Sequence, residues 1–116
     1  MSSAKDVKGV SLITARLDDM QPDAARALAD EIKANNAGTV AVLALAGGDK
    51  LNFIAVAGKD AVAAGAHAGQ LVGAVAAVTG GRGGGRPDSA MAGGNDKSKI
   101  DEALATAADI LAGQIR

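Results

Sequence analysis

Apolar positions along the chain switch between a two-residue and a 3.6-residue period, and each switch marks an element. Residues 7–17, Val-Lys-Gly-Val-Ser-Leu-Ile-Thr-Ala-Arg-Leu, are β-branched and roughly alternating, which predicts a strand. Asp18, Asp19 and Pro22 then signal a helix start, with Pro22 suited to the first helical position because it has no N–H to leave unpaired. Ala25, Leu28, Ala29 and Ile32 recur at i, i+3, i+4 and i+7, giving one apolar stripe that Asn35, Asn36 and Gly38 close. Asp23, Arg26, Asp30 and Lys33 fall on the outer face as solvated charge. Residues 39–46 and 51–57 are nearly continuous apolar runs joined by Gly47-Gly48-Asp49-Lys50. That arrangement predicts a hairpin of two central strands, covered on both faces, with Phe53 in the core.

From His67 to Val78 the period is helical again, with Leu71, Val72, Val75 and Val78 on one face and His67 placed to cap the start. Gly69 and Gly73 weaken this helix by about 1 kcal/mol each relative to Ala, so something is expected to pack closely against its backbone. Ser98 and, three residues later, Asp101 approximate a capping box for a last helix lined by Ile100, Leu104, Ala107 and Leu111. The order β-α-β-β-α-loop-α predicts a single α/β domain, a small mixed β-sheet packed with about three helices.

Composition narrows the function. The chain has 116 residues, no Cys, no Trp, no Tyr, one Phe, one His and 16 Gly, with a net charge of −1. Disulfides, thiolate metal sites and a Cys nucleophile are excluded, and a single His leaves no multi-His metal site. No catalytic cluster is evident. The near absence of aromatics argues against a base-stacking platform, and neutrality excludes a globally basic nucleic-acid binder while allowing a local basic patch. No uninterrupted apolar run reaches membrane-spanning length. The polar N-terminus lacks the apolar stretch of a signal peptide, so a cytoplasmic location is expected.

The informative stretch is 80–94, Gly-Gly-Arg-Gly-Gly-Gly-Arg-Pro-Asp-Ser-Ala-Met-Ala-Gly-Gly, which holds seven of the 16 glycines. Glycine loses the most backbone entropy on folding, so this density needs a cause. A P-loop is excluded because no Gly-Lys-Ser/Thr ends the run. A dinucleotide fingerprint is excluded because Arg86 stands at its last glycine position and the run follows a helix. Two readings stay open on the residues alone. In one, a fixed loop offers successive backbone N–H groups, with Arg82 and Arg86 as forked donors, to a polyanion. In the other, the glycines permit close helix–sheet packing.

The run from Gly81 to Gly94, with Arg82, Gly83, Gly84, Gly85, Arg86, Pro87, Asp88, Ala90, Ala92 and Gly93, resembles the signature near the C-terminus of alanyl-tRNA synthetases. The wider group is the DHH-associated domain, shared with DHH phosphoesterases and exonucleases. Those usually carry His after the glycines, whereas this chain carries Arg86-Pro87-Asp88. Ser89 and Met91 stand where synthetases commonly have a large apolar residue and Gln. The resemblance implies a non-catalytic domain that contacts tRNA(Ala) near its elbow and works with the remaining domains of a parent synthetase. It implies RNA contacts through Gly81, Arg82, Gly83, Gly84, Gly85, Arg86, Asp88, Gly93 and Gly94, to which Lys97 and Lys99 are added as nearby cations. No cofactor is expected in this domain. The parent, an ATP-dependent ligase, would use ATP, Mg and Zn. The family's helical dimerisation segment is expected to precede this chain, leaving at most a weak homodimer, and no membrane contact is implied. Two other readings are a substrate-binding domain of a DHH phosphoesterase or exonuclease, and a protein-interaction module.

Overall fold

The fold is read from a computed structural model that describes residues 4–7, 9–18, 22–35, 37–47 and 50–115, the side chains of 4–7, 17, 18, 22, 47, 50 and 97 excepted. The expected turn residues Asp19, Asn36, Gly48 and Asp49 lie outside the described residues. Strands β1 (Ala4–Val7), β2 (Val10–Asp18), β3 (Thr39–Gly47), β4 (Lys50–Ala57), β5 (Arg82–Gly85) and β6 (Ser89–Gly94) form one sheet in the order β1-β2-β3-β4-β6-β5. Helices α1 (Pro22–Asn35), α2 (Lys59–Ala63), α3 (Ala68–Val78) and α4 (Ile100–Gln114) cover it, with a 3-10 turn at Lys97–Lys99.

Only β2 and β3 run parallel, from Ser11 opposite Thr39 to Asp18 opposite Ala46, and α1 is the crossover that such a pair requires. The apolar runs of β3 and β4 occupy the middle of the sheet because both of their faces must be covered. Their alternation sorts the core into two clusters. Ala41, Leu43, Leu45, Ile54 and Val56 meet Ala25 and Ala29 of α1. Val40, Val42, Ala44, Phe53 and Ala55 meet Leu71, Val72 and Val75 of α3 and Ile100, Ala103, Ala107 and Leu111 of α4. Phe53 is fully buried.

Three expectations are corrected, and one short helix is added. Residues 7–17 are not one strand: Gly9, at φ +91°, turns the chain between β1 and β2. Among the helices the expected order lacked only α2, a five-residue helix that follows Gly58 directly, its first N–H groups donating from Asp60 and Ala61 to the Ala37 carbonyl. Residues 80–94 are not a loop but the hairpin β5–β6. Ser98 caps no helix: its N–H and hydroxyl both donate to Asp96 Oδ1, and α4 begins after Lys99 without a side-chain cap. Asp preferentially closes this kind of local turn on following donors, which removes Ser98 from the capping position.

The ends of α3 are tightly specified. At its C-terminus the Gly81 N–H donates to Ala76 O at 2.9 Å and the Gly80 N–H to Ala77 O at 3.0 Å, with Gly80 at φ +79°. This is a Schellman closure, which needs a left-handed residue where Gly80 stands. At its N-terminus the His67 ring caps as expected, Nδ1 accepting from the Gln70 N–H at 3.1 Å. The Gln114 amide clamps the His67 backbone from the end of α4, its Oε1 accepting from His67 N–H and its Nε2 donating to His67 O, both at 3.1 Å. Replacing Gln114 by Ala is expected to cost about 1–2 kcal/mol, read as a lowered urea midpoint with an unchanged m-value. An unchanged midpoint would show the clamp to be incidental.

Candidate nucleic-acid interface

Glycine is a poor strand former, so the hairpin β5–β6 owes its strands to what lies over it. Ala90 and Ala92 of β6 are buried beneath α3, and their partners in register are Gly85 and Gly83. A Cβ on Gly69 of α3 would strike the Gly85 backbone, and one on Gly73 would lie 2.9 Å from the Gly83 carbonyl. Side chains at Gly81 and Gly83 would fall on the backbone of Gly93 and Ala92, and one on Gly94 would meet Leu51 and Thr79. Helix and strand thus touch backbone to backbone, as the weakened helical period implied. Gly93 differs: a Cβ there meets nothing within 4 Å. Packing alone accounts for most of the glycine density.

The same seam occupies the first donors of α3. Ala68 N–H donates to Pro87 O at 2.8 Å, Gly69 N–H to Arg86 O at 3.1 Å, and Gln70 N–H to the His67 ring. This helix start therefore has no spare N–H for an anion, and donors for a polyanion must come from side chains. Arg82 and Arg86 are both exposed; Arg82 opens β5, a strand at one edge of the sheet, and Arg86 directly follows its last residue. Four residues of strand separate them by roughly 13 Å. A groove of about 510 Å³ runs between α3 and β5, lined by His67, Gln70, Ala74, Ala77 and Arg82 among the glycines. Lys99 is exposed near the exit of β6, beyond the Arg82 end of the hairpin, and the side chain of Lys97 is not described.

Asp88 sits at the other end. Its Oδ2 takes Lys33 Nζ at 2.8 Å and its Oδ1 takes Arg86 Nε at 3.4 Å. Its main-chain carbonyl accepts from Ala57 N–H at 2.9 Å, which fixes the turn to β4. The sequence placed Lys33 on a solvated face. The structure brings it 55 positions along the chain to Asp88, a pairing that only the packing of α1 creates. Lys59 of α2 lines a groove of about 440 Å³ with Lys33, Arg86 and Asp88, and is likewise absent from the sequence reading. The Lys33 hydrogen bond, reinforced by the charges of Lys33 and Arg86, holds the Asp88 carboxyl below its ordinary value. The Ser98 hydroxyl and N–H do the same for Asp96. Among the described residues no group of three His, Asp or Glu could hold a metal ion.

A mixed sheet flanked by α1 on one side and by α3 and α4 on the other, with a glycine hairpin at its edge, defines the class. The DHHA1 domain profile matches residues 9–113, and the chain belongs to that family. Within it the relatives are synthetases. The chain is 50% identical over 101 residues to the alanine–tRNA ligase of Shouchella clausii, covering 87% of this chain and 12% of that protein. It is 41% identical over 114 residues to that of Clostridioides difficile, covering 98% and 13%. The fold matches the crystal structure of the C-Ala domain from Aquifex aeolicus alanyl-tRNA synthetase at a TM-score of 0.85 and 28% identity, over 96% of this chain and 99% of that one. The chain therefore spans about an eighth of the ligases it resembles.

Two outcomes are expected from the site geometry. Gly73→Val is expected to destabilise by about 1–3 kcal/mol through overpacking, whereas Gly93→Val is expected to stay within about 0.5 kcal/mol. Thermal unfolding separates them, and equal midpoints would show that the seam is loose. The second concerns pH. Because the Asp88 value is depressed on folding, its contribution is present above the unfolded value and is lost as pH falls through the lower folded one. That contribution is below about 1 kcal/mol for a pair this solvated. Between pH 5 and pH 3 wild type is expected to lose slightly more stability than Asp88→Asn, and parallel curves would remove Asp88 from the pH dependence.

Proposed function

We propose that this chain is the tRNA-contacting C-terminal domain of an alanyl-tRNA synthetase, holding tRNA(Ala) for catalytic domains elsewhere in the parent enzyme. The likeness to the C-Ala domain supports the setting. The observation that carries the contact itself is the pair of exposed arginines, Arg82 at the start of the edge strand β5 and Arg86 just after its end, beside a helix whose first donors are already used. Folded RNA is recognised by shape through phosphate and 2′-OH groups, which suits forked donors on flat glycine backbone and needs no aromatic platform. Alanine activation with ATP and Mg, and any Zn-dependent editing, belong in this reading to the other domains of the parent. Among the described residues no helix is long and apolar enough to cross a membrane.

The test is tRNA affinity as a function of salt for wild type and the Arg82→Ala/Arg86→Ala double variant. Each phosphate contact removed is expected to lower the magnitude of the log–log slope by roughly 0.7–0.9. The melting temperature is expected to move little, because neither guanidinium is buried. Identical affinity and slope would take both arginines out of the contact.

A further inference from the structure

The glycine seam and Arg82 lie along one side of the hairpin, and a separate group of cations lies at its tip. There Lys33 from the last turn of α1, Lys59 from the first turn of α2 and Arg86 from the turn after β5 line one groove of about 440 Å³ around a single carboxylate, Asp88. Three cations against one anion leave two positive charges in a chain whose net charge is −1. The arrangement is also ordered. Arg86 meets Asp88 through Nε, so its two terminal amino groups, on a side chain that is 80% exposed, remain available to another acceptor. Lys33 is half-buried and fixed by the same carboxylate. Lys59 is exposed and has no ion pair among the described residues. The backbone beneath is pinned at three successive residues, since the carbonyls of Arg86, Pro87 and Asp88 accept from Gly69, Ala68 and Ala57.

We propose that Lys59, Lys33 and Arg86 form a phosphate-binding groove at the hairpin tip that takes a backbone phosphodiester of the bound tRNA, with Asp88 as its positioning residue. This rests on the tRNA-binding reading above and adds to it contacts from α1 and α2, neither of which belongs to the glycine signature. The recognition chemistry is that of a compact, strongly hydrated ammonium beside a forked guanidinium, the pair that phosphate oxygens accept from most readily. Asp88 cannot donate to phosphate while ionised. Its role is to aim the two cations it holds.

The experiment is tRNA binding to this chain by fluorescence anisotropy across a salt series, with inorganic phosphate titrated separately. Lys59→Ala is expected to weaken tRNA binding roughly five- to eightfold at 0.1 M salt and to lower the slope by roughly 0.7–0.9, the effect of one lost phosphate contact. Its melting temperature is expected to stay at the wild-type value, and Lys59→Arg is expected to restore most of the affinity. Asp88→Asn decides the positioning role. Removal of a negative charge would tighten binding to an unstructured positive patch, whereas loss of aim weakens it, and weaker binding is the expected result. Unchanged tRNA affinity in Lys59→Ala overturns the groove, and if saturable phosphate binding accompanies it, a small anion is the ligand instead. Tighter binding by Asp88→Asn overturns the positioning role. A wild-type chain that binds no tRNA overturns the tRNA reading and the groove together, while wild-type binding with unaffected Lys59 variants overturns the groove alone.

Discussion

The constraint on which the edge of this molecule depends is the approach of a helix backbone to a strand backbone with no side chain between them. Gly69 lies against Gly85 and Gly73 against Gly83, one helical turn apart on α3 and two residues apart on β5. A turn of helix rises about 5.4 Å and two strand residues span about 6.6 Å, so the two spacings nearly match and the glycines register in pairs. The glycines themselves bring almost no apolar surface, so the apolar share of the packing falls to Ala90 and Ala92 of β6 beneath α3. Hydrogen bonds add to it at one end, where Ala68 and Gly69 donate across the seam to Pro87 and Arg86.

How much of this was legible depends on what each segment relies on. The central strands, α1, α3 and α4 follow from local period, because their apolar stripes are long and each meets one core cluster. The hairpin β5–β6 was not legible as strand, because its residues have no strand preference and are ordered by a helix earlier in the chain. The glycines of α3 did carry the matching signal, since two weak points one turn apart announce a close neighbour without saying which one. Gly9 was the overlooked mark of a turn inside what alternation joins into one strand. In the candidate site Arg82 and Arg86 were legible as exposed donors in a glycine frame. Lys33 and Lys59 were not, because nothing in their local context distinguishes a lysine that meets a distant turn from one that faces water.

The two ends of the hairpin use an aspartate in opposite ways. Asp96, just beyond β6, spends its acceptors on the N–H and hydroxyl of Ser98, two residues along the chain. Its side chain organises a local turn, while its N–H donates to the Thr79 carbonyl at the end of α3. Asp88, before β6, spends its carboxylate on Lys33 of α1 and on Arg86 of its own turn, and its carbonyl on β4. Both carboxyls are held below their ordinary values, the first mainly by a hydroxyl and the second mainly by an ammonium. The difference matters electrostatically: the Asp96 charge is offset by neighbouring Lys99, while Asp88 collects more positive charge than it cancels. A nearly neutral domain can thus present an ordered, positively charged tip at Arg86. A polyanion approaching that edge meets an ordered tip before the flat glycine face, and because the tip is braced through Gly69, Ala68 and Ala57 it need not reorganise to receive it. Preorganisation of this kind lowers the entropic cost of binding, and it gives a contact built from few charges its best route to specificity.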